Sequence, residues 1–370
     1  MPNSILNVLV TAVGGGGHGE QILKALRQAA PGNYRLFGGD MNPQCPQLAL
    51  VDEAFMLPPA AHNEFIDAVL AVCGRFDIRA VFHGCEPELL AYSAARQRFE
   101  EKGVLLPINR ADVIQLCMDK LTTSEFLRRE GFAALRYQIL EDPAKVEEID
   151  WFPLVVKPFK GTGASKDVFI VQSMQQLRGI AEYLEVSAEK PLMMQEYVGT
   201  DEQEFTVGVL HDLDGVFINS VVLRRELKSA LNLRTVVPNV TGRTELGGRL
   251  VVSSGISHGE IGHFPDVAAS CEKIAAALDV RGAINIQGRV DHTGQFRVFE
   301  INPRFSGTTS LRALVGYNEP DVLLRKHLRG EKIETRFAYR SGFILRSLTE
   351  SVMNSAPARS WREFLPGATN

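Results

Sequence analysis

The sequence predicts a chain that opens as an α/β domain with a parallel sheet and continues as an α+β region of mostly antiparallel strands. Three observations carry this. "ILNVLVTAV", "GGGGHG" and "EQILKALRQA" follow one another at the start, which is the order strand, glycine turn, helix from which open parallel sheets are built. From about residue 191 strands dominate and return after short loops, in "PLMMQEYV", "EFTVGVL", "GVFINSVVLRREL", "RLVVSSG", "AINIQGRV" and "RVFEINP", which suits antiparallel pairing. With 370 residues, 45% hydrophobic and 23% charged, the chain has the composition of a folded protein and the length for two or three domains.

"ILNVLVTAV" is nearly continuous in apolar and β-branched residues, the pattern of a strand buried on both faces. A second strand at "YRLFGGD" and a third at "AVFHGCEPEL" repeat the rhythm, with the helix "FIDAVLAVCGRF" between them. This domain is expected to close near "VLLPINR", at about residue 110. Gly14, Gly16 and Gly19 meet the G-x-G-x-x-G spacing, and Asp40 ends the second strand. That pattern admits a nicotinamide dehydrogenase, with pyrophosphate at the helix N-terminus and Asp40 on a ribose. His83, Glu86 and Glu88 of "HGCEPEL" lie where open sheets place ligands, although a lone histidine with two acids is more often structural.

"ADVIQLCMDKLTTSEFLRREGF" is helical, with a restart expected at Thr122–Ser124, where hydroxyls can cap. "FPLVVKPF" and "VFIV" are strands around the glycine-serine loop "GTGAS", and "MQQLRGIAEYLEVS" is a helix. One further helix, "DVAASCEKIAAAL", interrupts the later strands, and the tail after about Glu350 is weakly patterned.

"AINIQGRVDHTGQFRVFEINP" reads as a hairpin. A turn centred on Thr293–Gly294 pairs 287 with 300 and 285 with 302. Gln287, Glu300, Asn285 and Asn302 then share one face, because side chains alternate with period two. Oxygen donors gathered in this way suit a hard divalent ion such as Mg²⁺, and Arg304, just past the strand, can reach phosphates. The same alternation also describes the solvated face of an exposed hairpin.

The formal net charge of -4 gives no reason to expect nucleic acid or an anionic membrane as partner. The five cysteines, Cys45, Cys73, Cys85, Cys117 and Cys271, show no paired-ligand spacing, so neither a disulfide framework nor a zinc site is expected. The start lacks a basic flank and no apolar run approaches the ~20 residues of a membrane helix. A cytoplasmic protein is the expectation.

"FEINPRFSG", with "VVKP", "QEYV" and "MDKLTTSEFL", resembles the ATP-grasp superfamily. Within it the resemblance is to the nucleotide-binding half-modules of the carbamoyl-phosphate synthase large chain and its stand-alone relatives, and it runs from about residue 1 to 345. It implies a Rossmann-like (pre-ATP-grasp) domain over 1–110 and a small α/β lid subdomain over 111–190. A C-terminal ATP-grasp subdomain with an antiparallel sheet over 191–345 and a tail over 346–370 would follow.

The resemblance implies ATP and Mg²⁺, with Gln287, Glu300 and Asn302 as metal ligands; the neutral Gln287 leaves less charge for a second ion. Lys120 and Lys157 become the basic residues on the ATP phosphates. By composition alone Lys157 is a snorkelling strand-end lysine and Lys120 half of a surface pair. "KGTGASK" becomes a lid over the triphosphate, through Gly161, Gly163, Ser165 and Lys166. "MMQEYVGTDEQEFTV" becomes the adenine hinge, through Gln195 and the backbone of Glu196 and Val198, with Tyr197 or Met194 packing nearby. Glu204, preferred over Glu202, would take the ribose diol.

Arg304, Arg224 and Lys228 are the catalytic expectations, as cations beside the γ-phosphate and an acyl phosphate. Arg224, Arg225 and Lys228 also read as the charged edge of a strand. The implied activity is an ADP-forming carboxylate–amine ligase acting on small molecules, and the resemblance leaves room for a homodimer. A carbamate or bicarbonate kinase, an NAD-binding dehydrogenase and a non-catalytic ATP-binding protein remain as alternatives.

Overall fold

The structure is a computed structural model and describes residues 4–158, 167–348 and 359–365. The first domain is built from β1 (Leu6–Thr11), α1 (His18–Arg27), β2 (Tyr34–Asp40), β3 (Glu53–Met56), α2 (Phe65–Arg75) and β4 (Ile78–Phe82). Next come α3 (Glu86–Ala94) and α4 (Arg96–Glu100). β1 lies parallel between β2 and β4, and Val8, Leu9 and Val10 are fully buried, as a strand covered on both faces requires. β3 was not expected; at four residues, with only Phe55 buried to completion, it is too short to show a period. "HGCEPEL" does not continue the strand: β4 stops at Phe82 and Glu86 opens α3 with Pro87 in its first turn, where a missing N–H costs nothing.

α5 (Ala111–Met118) and α6 (Lys120–Arg129) break at Asp119, not at the hydroxyls expected to cap. The Asp119 carboxylate accepts the Thr122 N–H at 2.8 Å. Thr123 and Ser124 instead donate back to the carbonyls of Asp119 and Lys120. β5 (Tyr137–Leu140), β6 (Leu154–Pro158), β7 (Phe169–Val171), α7 (Met174–Tyr183) and β8 (Leu192–Glu196) follow. They form an antiparallel sheet in the order β5-β8-β6-β7.

The remaining elements are β9 (Glu204–His211), β10 (Phe217–Arg225), β11 (Leu233–Pro238), β12 (Arg249–Ser253), β13 (Gly259–Gly262) and α8 (Pro265–Ala277). After these come β14 (Ala283–Val290), β15 (Phe296–Asn302), α9 (Thr309–Leu314), α10 (Glu319–Arg329), β16 (Gly342–Ile344) and β17 (Arg359–Ser360). An antiparallel sheet runs β15-β14-β9-β10-β13-β16, while β11 and β12 form a separate ribbon. α5, α6 and α8 cover one face of the large sheet around Val207, Val209, Ile284 and Ile286. On the other face α9 and α10 share a core with α1, so that Ile22, Leu26, Leu311 and Leu323 belong to one cluster. β17 adds in parallel to β3, and Phe364 stacks edge-on against Phe55 at 5.5 Å. This part of the tail is a strap on the first sheet.

Three contacts set where the site elements sit. A Cβ on Gly19 would stand 2.4 Å from the Ala12 carbonyl and one on Gly84 2.2 Å from it, so glycine lets the β1 and β4 loops touch. Asn109, fully buried, donates to the carbonyls of Ala283 and Pro303 at 2.8 and 3.0 Å. It thereby ties the start of β14 to the chain just past β15. Arg312 and Glu319 form a buried pair at 3.0 Å, and the same guanidinium donates to Asn285 Oδ1 at 2.6 Å.

Removing one member of a buried pair leaves an uncompensated charge. Glu319→Ala is expected to lower the stability by about 3–5 kcal/mol in urea unfolding. Arg312→Met in the same chain is expected to recover much of that loss. Equal midpoints for Glu319→Ala and the parent would contradict the pairing.

Candidate functional site

The hairpin of β14 and β15 pairs Gln287 with Glu300 and Asn285 with Asn302, as the spacing predicts. The route to that register differs from the simple reading. Nearer the turn the pairs are Val290 with Phe296 and Gly288 with Val298, one residue out of step. A bulge at Phe299 restores the count. A bulge re-aims side chains, and here it lets the neighbours Phe299 and Glu300 line the same cleft.

That cleft, of about 220 Å³, lies between the large sheet, the sheet of β5–β8 and the first domain. Lys120, Lys157, Gln195, Glu196, Tyr197, Val198, Glu204, Gln287, Glu300, Asn302 and Arg304 all line it. Gly161, Gly163, Ser165 and Lys166 lie outside the described residues.

One end of the cleft is apolar, with Leu135, Val155, Val198 and Val251 around Tyr197. Tyr197 is locked by accepting the Val251 N–H at 2.7 Å, and Arg289 stacks on its ring at 4.7 Å. Glu196 is held by the Arg136 N–H at 2.8 Å and the Arg297 guanidinium at 2.6 Å. The Val198 N–H has no acceptor among the described residues. An apolar lining edged by a free backbone donor suits a heteroaromatic ring.

In the middle of the cleft cations face a carboxylate. Lys157 is buried and donates to Gln195 Oε1 at 2.8 Å. Burial lowers its pKa to about 8, against the pull of Glu300 and with the help of the nearby Lys120 charge. Gln287 Nε2 donates to Glu300 Oε2 at 2.9 Å, which turns the Gln287 oxygen away from Glu300. Asn302 Oδ1 accepts from Arg304 Nη2 at 2.9 Å. Asn285 Oδ1 is filled by Thr206 at 2.8 Å and by Arg312, so Asn285 offers an N–H₂ rather than an oxygen. No group of three or more His, Cys, Asp or Glu converges among the described residues. The donor set of one carboxylate and two amide oxygens fits a hard cation whose other ligands are phosphate oxygens.

Glu204 is a correction. It sits in the cleft, but Oε1 accepts from Arg225 at 2.8 Å and Oε2 accepts two N–H groups of Arg289 at 2.9 and 2.7 Å. Ser253 adds a further hydrogen bond, which fills the four lone-pair sites a carboxylate offers and leaves none for a diol. Burial pushes this carboxyl up, and Arg289 and Arg225 more than reverse it, leaving the pKa below the ordinary value. Arg225 also donates to Ser253 Oγ and the carbonyls of Ser254 and Ile256, fixing the loop at the far end of the cleft.

Arg224 and Lys228 are also corrected. Arg224 pairs with Glu260 at 2.5 Å and lies over Phe264, and Lys228 is 67% exposed beside Glu226. Both line a separate cleft with Asp201 and Phe343. Alternate residues of β10 face opposite sides, so the residue turned inward to Glu204 is Arg225. Arg289 was missed although the alternation that selects Asn285 and Gln287 extends to it. Glu86, expected only as one of several loop candidates, reaches the cleft and pairs with Arg304 at 2.8 Å.

In the first domain the Asp40 carboxylate is taken up by the backbone around it. It accepts the N–H groups of Gly14 and Asn42, each at 2.9 Å, and so holds the glycine turn closed. This weighs against the dinucleotide reading of that turn.

The chain is similar to known proteins in two stretches of sequence and in its fold. Residues 247–351 match the family model described as ATP-grasp in the biosynthetic pathway with Ter operon. Residues 8–107 match the PylC-like, N-terminal domain. The carbamoyl phosphate synthase large chain of Archaeoglobus fulgidus is 26% identical over 215 residues, 57% of this chain and only 18% of that protein. Biotin carboxylase of Campylobacter jejuni is a structural neighbour at TM-score 0.63 and 16% identity, covering 91% of this chain and 74% of that one. N5-carboxyaminoimidazole synthetase of Staphylococcus aureus gives 0.62 and 15%, over 93% and 82%. L-amino acid ligase of Bacillus licheniformis gives 0.60 and 16%, over 89% and 75%.

The fold is that of ATP-grasp proteins. More narrowly, the chain carries a PylC-like N-terminal domain followed by an ATP-grasp domain, with weak homology to the carbamoyl phosphate synthase large chain. No helix among the described residues is long and apolar enough to cross a membrane.

The Lys157 ammonium is expected to titrate near 8 by NMR in the free protein. Removing the neighbouring positive charge by Lys120→Met raises that value, and Glu300→Gln lowers it. Because the folded value lies below the ordinary 10.5, the unfolded chain binds more protons between the two. Stability from this group therefore rises with pH across that window. An unshifted Lys157 would contradict the burial.

Proposed function

We propose that the cleft binds Mg-ATP and that the protein is an ADP-forming ligase joining a small carboxylate to an amine. The observation that carries this is the meeting of Lys120, Lys157 and the Gln287–Glu300–Asn302 set beside an apolar slot with a free hinge N–H. The adenine takes the slot between Tyr197 and Val198, and the phosphates run toward the two lysines. Glu300, Asn302 and Gln287 would hold Mg²⁺, which neutralises phosphate charge. The neighbours support the nucleotide: the Staphylococcus aureus enzyme is complexed with ADP and the Campylobacter jejuni enzyme with a β-γ-ATP.

The reaction proceeds by phosphoryl transfer. A carboxylate oxygen attacks the γ-phosphorus, the bond to the β-bridging oxygen breaks, and ADP leaves. The amine then attacks the acyl carbon of the mixed anhydride, losing a proton, and phosphate departs. The protein adds little covalent chemistry to such a transfer and acts by positioned charge. Lys157 serves this role with a short tether to Gln195, and Arg304 faces the cleft just beyond the metal-ligand set. The homology to the carbamoyl phosphate synthase large chain favours one second reading, a kinase of carbamate or bicarbonate, which stops after the first step. We place the protein in the cytoplasm, with no nucleic-acid partner.

Glu300→Ala is expected to lower acceptor-dependent ADP release by a factor on the order of 10²–10³, with the fold intact by circular dichroism. ATP but not NAD is expected to bind the ligand-free protein in calorimetry. ATP affinity should fall as pH rises through about 8, where Lys157 loses its charge. NAD binding that depends on Gly14 and Gly16, or full activity in Glu300→Ala, would refute the reading.

A further inference from the structure

Along the large sheet the cleft is built in rungs. Arg289 of β14 lies opposite Glu204 of β9, and the next rung that faces the cleft is Gln287 with Thr206 and Glu300. Residues two apart on a strand are about 7 Å apart. The first rung stands at the apolar end, where Arg289 stacks on Tyr197, and the second is the metal level. A nucleotide with its base at the apolar end and its phosphates at the metal level passes its sugar between the two rungs.

The polar side chains of that stretch are committed to one another. Glu204, with its side chain 2% exposed, accepts from Arg225 on Oε1 and twice from Arg289 on Oε2, and Ser253 adds a fourth bond. The Ser253 oxygen also accepts an N–H of Arg225 at 2.7 Å, and the Thr206 hydroxyl donates to Asn285 at 2.8 Å. Arg289 has five N–H groups. Two go to Glu204, one to the Val251 carbonyl at 2.8 Å and one to the Val198 carbonyl at 3.5 Å. Burial pushes the Glu204 carboxyl up and the two arginines more than reverse it, so it stays a carboxylate and cannot become an O–H donor. Glu202, the other acid that could meet a diol, is exposed and lines the separate cleft with Arg224. Glu196 is held at the hinge by Arg297, and Glu300 and Glu86 are bonded to Gln287 and Arg304.

Resting on the Mg-ATP reading, we propose that Arg289 makes the nucleotide site indifferent to the sugar, so that 2′-deoxyadenosine nucleotides are bound as well as adenosine nucleotides. Arg289 acts through Glu204, as a positioning residue. It keeps both lone pairs of Oε2 occupied and so leaves the ribose hydroxyls unread. A neutral hydroxyl does not displace a buried guanidinium from its carboxylate, because the exchange leaves a desolvated charge unpaired. Base and phosphates then carry the affinity, through the apolar end and the metal level. The same carboxylate without Arg289 would offer two free lone pairs to a vicinal diol.

An arginine cluster that only supports the fold is the competing explanation, and it gives Arg289 no influence on how sugars are told apart. The test is calorimetry of the full chain with Mg-ADP and with Mg-2′-deoxy-ADP. In the parent the two dissociation constants are expected to agree within about fivefold. Arg289→Met opens Oε2 of Glu204 while Arg225 still neutralises the charge, so the preference for ADP over deoxy-ADP should rise roughly 10- to 100-fold. Arg289→Lys, which keeps a cation on Glu204, should stay close to the parent. Glu202→Ala should change neither constant. A parent that discriminates by more than about fivefold, a folded Arg289→Met with no sugar preference, or a loss of ADP affinity in Glu202→Ala would overturn the proposal. The comparison in the parent decides the matter even where Arg289→Met does not fold. Failure of the parent to bind Mg-ADP at all would instead remove the nucleotide reading beneath it.

Discussion

The register of one hairpin governs this protein. If β14 and β15 slid by a single residue, Glu300 and Asn302 would turn to the opposite face of the sheet. The one-residue bulge at Phe299 is what converts the pairing set by the turn into the pairing the site uses. Asn109 then holds both ends of the arrangement, from a linker far away in sequence, through the carbonyls of Ala283 and Pro303. Everything proposed about the cleft assumes that this clamp holds.

Around the hairpin the protein buries more charge than stability alone would favour. Glu204 with Arg225 and Arg289, and Arg312 with Glu319, lie under the cleft almost without solvent contact. Buried ion pairs of this kind seldom improve on well-packed apolar side chains in stability. What they provide here is position. Arg312 fixes which way the Asn285 amide faces, and Arg225 pins the loop at Ser254 and Ile256. Arg289 stacks on the hinge tyrosine. The effect is a cleft whose polar groups are oriented before any ligand arrives, the condition under which electrostatic stabilisation of a transferred phosphoryl group is largest.

Much of this was legible in the sequence. The strand–glycine–helix order at the start and the antiparallel run after residue 191 follow from period and turn chemistry; the 287–300 pairing was also named, but the turn alone sets a register one residue away and the bulge at Phe299 restores it. Glu300 with Asn302, and Asn285 with Gln287, could be grouped because residues two apart on a strand share a face. The same rule, extended by one step, would have found Arg289. What escaped had other causes. Arg225 was set aside for Arg224 because a run of charges does not announce which member points inward. Glu204 looked like a free carboxylate because its two arginines come from other strands, 21 and 85 residues away. Asn109 and Glu86 act across domains, and no local pattern reports such contacts. The short β3 and the tail strand β17 take their structure from the sheet they join rather than from their own residues.

The most direct measurement is the anomalous diffraction of crystals grown with Mn²⁺ and a non-hydrolysable ATP analogue. The account predicts a Mn²⁺ peak coordinated by Glu300 and Asn302 together with phosphate oxygens, the adenine against Tyr197 and Val198, and Arg304 drawn off Asn302. A metal bound elsewhere, or a nucleotide seated on the glycine turn of the first domain with Glu300 still paired only to Gln287, would contradict it.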